Sequence, residues 1–392
     1  MRKTWTRRLK FLGASIAIAL VTTGCGSVDD GGDASVAGED VAATTASATA
    51  EPTQPPEPTA SPTSTAIPEP SPAPEPTPEA AAVDSAAVDS AAFEPLVLPD
   101  YVQEQLGEGY SSYLVEVEPG VEVHVLEIGS GYPVYLQHGA PTSGLLYRKL
   151  AAELPLDEFR LIMPTMVGLG FSSGVEPAAH TLDNHIRWMQ LTLAELDLDE
   201  AIYVGHDWGG PVGMGALARS AELMSGAVLL NTSLTAPTEP VEFNPALTAL
   251  LSQPAGSEAA LNGAIFAQLP AAQNDVDSMS PEVLDLYRRP VVESDNVTGP
   301  VSIFRMAADG PDHPTAAELR KIEAYIADLD VPAEIVWGTK DPILGGALDR
   351  MIGLFPNAPV TRTEAGHFLQ EEVGVPAEIA AAIQRVRAVI DG

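Results

Sequence analysis

The string Gly205-His206-Asp207-Trp208-Gly209-Gly210 constrains this chain more than any other stretch of it. It follows the apolar run Ala201 to Val204 and leads into a segment of helical periodicity. Small residues at 205, 209 and 210 let a strand turn at once into a helix, and such a turn holds the side chain between them out over the edge of a sheet. By itself an Asp just before a helix is an ordinary N-cap. The reading therefore rests on what accompanies Asp207 along the chain.

The chain divides by composition. Residues 1–25 start with Arg2, Lys3, Arg7, Arg8 and Lys10, continue apolar from Phe11 to Val21, and reach Thr22, Thr23, Gly24 and Cys25. A charged start, a short apolar run and a small-residue cleavage site are the marks of an export signal, and the run falls short of the about 20 residues that span a bilayer. Cys25, the only cysteine, resembles the acylated residue of a bacterial lipoprotein. With it come no disulfide and no reactive thiol in the mature domain, whose stability must come from its core. Residues 26–92 are dominated by Pro, Ala, Thr, Ser, Glu and Asp and have no Lys or Arg, the composition expected of a disordered linker that cannot bury a core. The net charge is −34, which argues against nucleic acid or anionic headgroups as partners and leaves the lipid as the only membrane link.

Residues 93–392 are enough for one large α/β domain. The pattern predicts a hairpin from Tyr113 to Glu127 turning at Pro119 and Gly120. Further strands are expected near residues 133–137, 160–163, 201–205, 226–230, 333–337 and 359–362, eight in all. Helical periodicity over residues 182–196, 213–223 and 377–390 separates them, so the sheet is expected to be mostly parallel and covered by helices. From about 234 to 312 the strand rhythm gives way to Pro-marked helical segments. Such an insertion at the carboxyl edge of the sheet is read as a helical cap over the site.

Strand ends carry the remaining motifs. Residues 133–137 run into His138, Gly139, Ala140, Pro141 and Thr142, where backbone N–H groups of Ala140 and Trp208 are placed to hold an oxyanion. Residues 335–338 lead to the acid Asp341, and residues 359–362 lead to Ala365, Gly366, His367 and Phe368. Nucleophile, acid, histidine is the chain order of an α/β-hydrolase fold with Asp207 in the place more often held by Ser.

HGAPTSGLLYR (His138 to Arg148), GHDWGG and EAGHFLQEE (Glu364 to Glu372) resemble the haloalkane dehalogenases, as do Tyr287 to Pro290 in the cap. The resemblance implies a two-step hydrolysis in which Asp207 displaces halide from an sp3 carbon and His367, oriented by Asp341, activates water against the resulting ester. It needs neither metal nor organic cofactor, and its substrates are small and hydrophobic. It makes Trp208 a halide donor and puts His138, Pro141, Tyr287 and Phe368 around the substrate. Asn231 stands where some dehalogenases keep their acid, which favours Asp341. Ala140 departs from the pattern: the family usually offers a side-chain donor there, and Gln268 or Asn262 of the cap could replace it. Two other readings stay open. An epoxide hydrolase would use the same triad with cap tyrosines, of which the cap contains only Tyr287. A surface binding module would keep the fold without turnover.

Overall fold

The computed structural model describes residues 93–220 and 223–392, so the expected signal, Cys25 and the linker lie outside the described residues. One sheet contains β1 (Glu94–Pro95), β2 (Ser111–Glu118), β3 (Val121–Gly129), β4 (Tyr132–Gln137), β5 (Phe159–Pro164), β6 (Ala201–Asp207), β7 (Met224–Thr232), β8 (Ala333–Gly338) and β9 (Val360–Thr363). Its order is β1-β2-β3-β5-β4-β6-β7-β8-β9. The first three pairings are antiparallel and the other five, from β5/β4 to β8/β9, are parallel. Eight strands match the predicted ones. The ninth, β1, adds two residues at the outer edge, too short to carry any periodicity in sequence.

The central parallel strands are buried along their whole length, which explains their continuous apolar runs. β4 sits between β5 and β6, so the chain leaves it to one side for β5 and then returns past it to β6. This is where the winding of the sheet reverses, and the crevice beyond the carboxyl ends of β4 and β6 is the place such a sheet offers a ligand.

The helix after β6 spans Gly209–Ala218, starting four residues before the position its periodicity suggests. Every residue from Gly209 to Leu217 is buried. A helix apolar on all sides has no amphipathic stripe to mark its start. Between β7 and β8 the described residues contain no strand. The chain forms helices Pro245–Leu251, Pro281–Val292 and Gly299–Phe304, with a π-helical stretch at Ala259–Ile265 running into the 3-10 turn Phe266–Ala272. Helix Pro314–Ala327 then packs back on Gly209–Ala218.

Candidate active site

Asp207 ends β6 with φ of +50°, a conformation that costs a non-glycine residue about 1–3 kcal/mol and persists only where its surroundings enforce it. Two of those surroundings are visible. Thr232 Oγ donates to the Asp207 carbonyl at 2.7 Å. Gly209 runs so close to β4 that a Cβ there would lie 2.1 Å from the Gln137 carbonyl oxygen, so the turn requires glycine. The Asp207 side chain does not cap the helix, whose first turn has no side-chain cap. It points across the crevice, where Oδ1 accepts from the Ala140 N–H at 2.9 Å.

On its other side, Asp207 Oδ2 lies 3.6 Å from His367 Nε2. His367 Nδ1–H donates to Asp341 Oδ2 at 2.9 Å. Asp341 is fixed in turn: Oδ1 accepts the N–H groups of Ile343 and Leu344 at 2.6 and 3.0 Å, and Oδ2 also accepts Asn231 Nδ2–H at 2.7 Å. Asn231 is itself locked to the backbone of Gly338 through both ends of its amide. The three expected triad residues are thus brought together, all nearly inaccessible to solvent.

Burial alone would drive His367 toward neutrality, but the carboxylates of Asp341 and Asp207 outweigh it and raise its pKa to about 10. For Asp341, burial opposes ionisation, and His367 together with the Asn231 and Ile343 donors overcomes this and holds the carboxyl below its ordinary value. His206 was not singled out in the sequence. It is buried beside the triad histidine and donates through Nε2 to the His367 carbonyl at 2.9 Å. Desolvation lowers its pKa to about 3, so it is neutral and serves as a fixed support.

A small cavity opens onto Asp207 and His367. Its wall includes Ala140, Pro141 and Phe368, as expected, with Leu269, Phe304 and Ile343 making it predominantly apolar. The other pocket residues expected from the sequence lie elsewhere. His138 does not line the wall: it donates to the Gly139 carbonyl and accepts the Met166 N–H, and burial lowers its pKa to about 4, making it a neutral staple of the loop after β4. Tyr287 is also outside the wall, its hydroxyl bonded to the buried carboxylate of Glu371. Gln268 lines the cavity while donating to the Gly263 carbonyl, and Asn262 does not line it. The Trp208 indole N–H, immediately after Asp207, is buried without a hydrogen-bond partner among the described residues, and Trp208 does not line the cavity.

The sequence pattern of the alpha/beta hydrolase fold matches residues 132–373. A haloalkane dehalogenase of Mycobacterium tuberculosis is 30% identical over 271 residues, 67% of this chain and 90% of that protein. The chain is an α/β hydrolase, and within that family it belongs with the haloalkane dehalogenases. Solved structures bear on the fold. The haloalkane dehalogenase DatA of Agrobacterium tumefaciens superposes with a TM-score of 0.62 at 22% identity, covering 74% of this chain and all of that one. The epoxide hydrolase CorEH reaches 0.59 at 20% identity, covering 72% and 99%.

Proposed function

We propose that the chain hydrolyses short haloalkanes by two displacements at Asp207. Its Oδ2 attacks the carbon bearing the halogen, the carbon–halogen bond breaks, and halide leaves with the bonding pair while an alkyl ester forms. Water then adds to the ester carbonyl, giving up a proton to His367 Nε2. The oxyanion forms on Oδ1, against the Ala140 N–H, and its collapse expels the alkyl oxygen, which takes the proton back from His367 and leaves as the alcohol. The observation that carries this reading is the divided carboxylate, one oxygen held by the Ala140 N–H and the other facing His367 in an apolar cavity.

The charges follow the same sequence. The carboxylates of Asp341 and Asp207 hold the pKa of His367 above its ordinary value. Ester formation removes one of these two negative charges, and burial then favours release of any proton on Nε2 to solvent, leaving the neutral imidazole needed as a base. Trp208 does not line the cavity, and its buried indole N–H, without a hydrogen-bond partner among the described residues, is the donor we assign to the departing halide. Epoxide opening would call for a hydroxyl donor to the alkoxide, and among the described residues no tyrosine lines the wall.

The test is intact-mass measurement of the purified protein and of its His367→Ala variant after exposure to a panel of haloalkanes and epoxides. The variant is expected to retain an alkyl adduct on the peptide containing Asp207. Adducts from epoxides alone would replace this reading by the rival hydrolase, and no adduct at all would leave a binding module.

We further propose export and anchoring through an acylated Cys25, supported by the arrangement of residues 1–25. The full chain should fractionate with membranes and incorporate labelled palmitate, and Cys25→Ala should do neither. A soluble, unlabelled parent would end the proposal.

A further inference from the structure

The loop carrying His367 is tied to the cap more closely than a lid requires. His367 N–H donates to the Ala272 carbonyl at 2.8 Å. On the next residue, Phe368 N–H donates to Gln273 Oε1 at 2.8 Å, and Gln273 Nε2–H donates back to the Phe368 carbonyl at 3.0 Å. One side chain thereby holds both backbone groups of the residue beside the histidine. Glu372 Oε1 completes the strap by accepting Gly366 N–H from the loop and Asn274 N–H from the cap, each at 2.8 Å. The backbones lie almost flush: a Cβ on Gly366 would come 2.3 Å from the Ala272 carbonyl oxygen and 2.5 Å from the Gln273 Cα.

We propose that Gln273, which touches none of the reacting atoms, is the positioning residue for His367 and governs hydrolysis of the alkyl ester rather than its formation. The inference rests on the two-step reading above, because only there do the two steps depend differently on His367. Alkylation uses Asp207, whose carboxylate is held by the Ala140 N–H and whose backbone carbonyl is held by Thr232, both from the core. Ester hydrolysis depends on where Nε2 stands relative to water and the ester carbon, and a displacement of about 1 Å at such a centre costs on the order of a hundredfold in rate. Gln273 is buried and its amide is fully engaged, with Ser278 Oγ as a further acceptor at 3.1 Å. It therefore sets the Phe368 backbone in one position.

The experiment separates the half-reactions with 1-bromopropane as probe, measuring bromide burst, steady-state turnover and accumulated adduct by intact mass. Gln273→Met removes both hydrogen bonds to Phe368, and the one to Ser278, at similar volume. It should alkylate within about twofold of the parent while ester hydrolysis slows about 10- to 100-fold and adduct accumulates. Gln273→Glu keeps the acceptor for Phe368 N–H in nearly the same shape. It guards against a methionine variant that does not fold, and its hydrolysis rate should lie between those of the parent and the methionine variant. Burst and hydrolysis falling together in a folded variant, or hydrolysis at the parental rate, would overturn the role of Gln273. His367→Ala run alongside tells the two failures apart, since an adduct there leaves the two-step reading standing while its absence removes both.

Discussion

The two sides of the site are held in different ways. Asp207 stands on a strand-to-helix turn whose supports come from the sheet and its edges: Thr232 at the end of β7, Gln137 at the end of β4 and Ala140 just beyond it. His367 takes its Nδ1 and carbonyl partners, Asp341 and His206, from the core, while the N–H groups of His367 and Phe368 are held by Ala272 and Gln273 of the cap. The first side is fixed by dense packing that cannot yield without damage to the sheet. The second is fixed in part by hydrogen bonds to a segment of short 3-10 and π-helical turns. A site assembled this way takes its nucleophile from the sheet and part of the support of its base from the cap.

Substitutions on each side test that contrast, the most severe first. Asp207→Ala should lower halide release by at least about 10⁴-fold with the protein still folded, and a variant retaining a tenth of parental release would place the nucleophile elsewhere. Asp341→Asn should slow ester hydrolysis on the order of a thousandfold while alkyl-enzyme builds up, because the orienting charge on His367 is lost. Equal loss in both half-reactions would show that Asp341 serves the fold alone.

On the cap side, Gly366→Ala drives a methyl into the backbone of Ala272, and overpacking of that kind costs about 1–3 kcal/mol. Chemical denaturation should register it, and an unchanged midpoint would mean that the cap already rides loosely on the loop.

Titration should also divide the molecule. His124, His138 and His206 are buried and held neutral by desolvation, with pKa values near 3, 4 and 3. Below their unfolded value of about 6.5 the unfolded chain takes up protons that the folded chain refuses, so stability falls with pH by about 1.4 kcal/mol per unit for each such group. His367 has the opposite sign. Its pKa of about 10 gives stability that is complete below about 6.5 and is lost as pH rises toward 10. Melting temperatures across pH 4–10 should therefore peak near 6.5, and His367→Ala should flatten the alkaline limb alone. The smallest effect is expected from Tyr287→Phe, which deprives Glu371 of one donor while Arg148 and Lys149 still neutralise it, about 1 kcal/mol in denaturation.

Much of the site was legible along the chain because it is built from residues that end strands. The glycines around Asp207 have a covalent reason to be there, and Asp341 and His367 occupy the ends of β8 and β9 in the order the winding demands. Tyr287 and His138 show where that kind of reading fails. Both residue types suit a pocket, yet one is turned toward Glu371 and the other toward the Gly139 and Met166 backbone, and no spacing in sequence reports which way a buried side chain faces. Gln273 left no signal either, being one polar residue in a helical segment without a motif.

The sequence by itself determined the alternation of strands and helices, the strained acid and the succession of catalytic residue types, since each follows from local periodicity or from the space that glycine leaves. Tertiary structure alone decided which side chains line the cavity and that the cap supports the histidine loop. Those facts depend on contacts between segments about 95 residues apart, such as Gln273 with Phe368, and packing rather than local conformation brings such segments together.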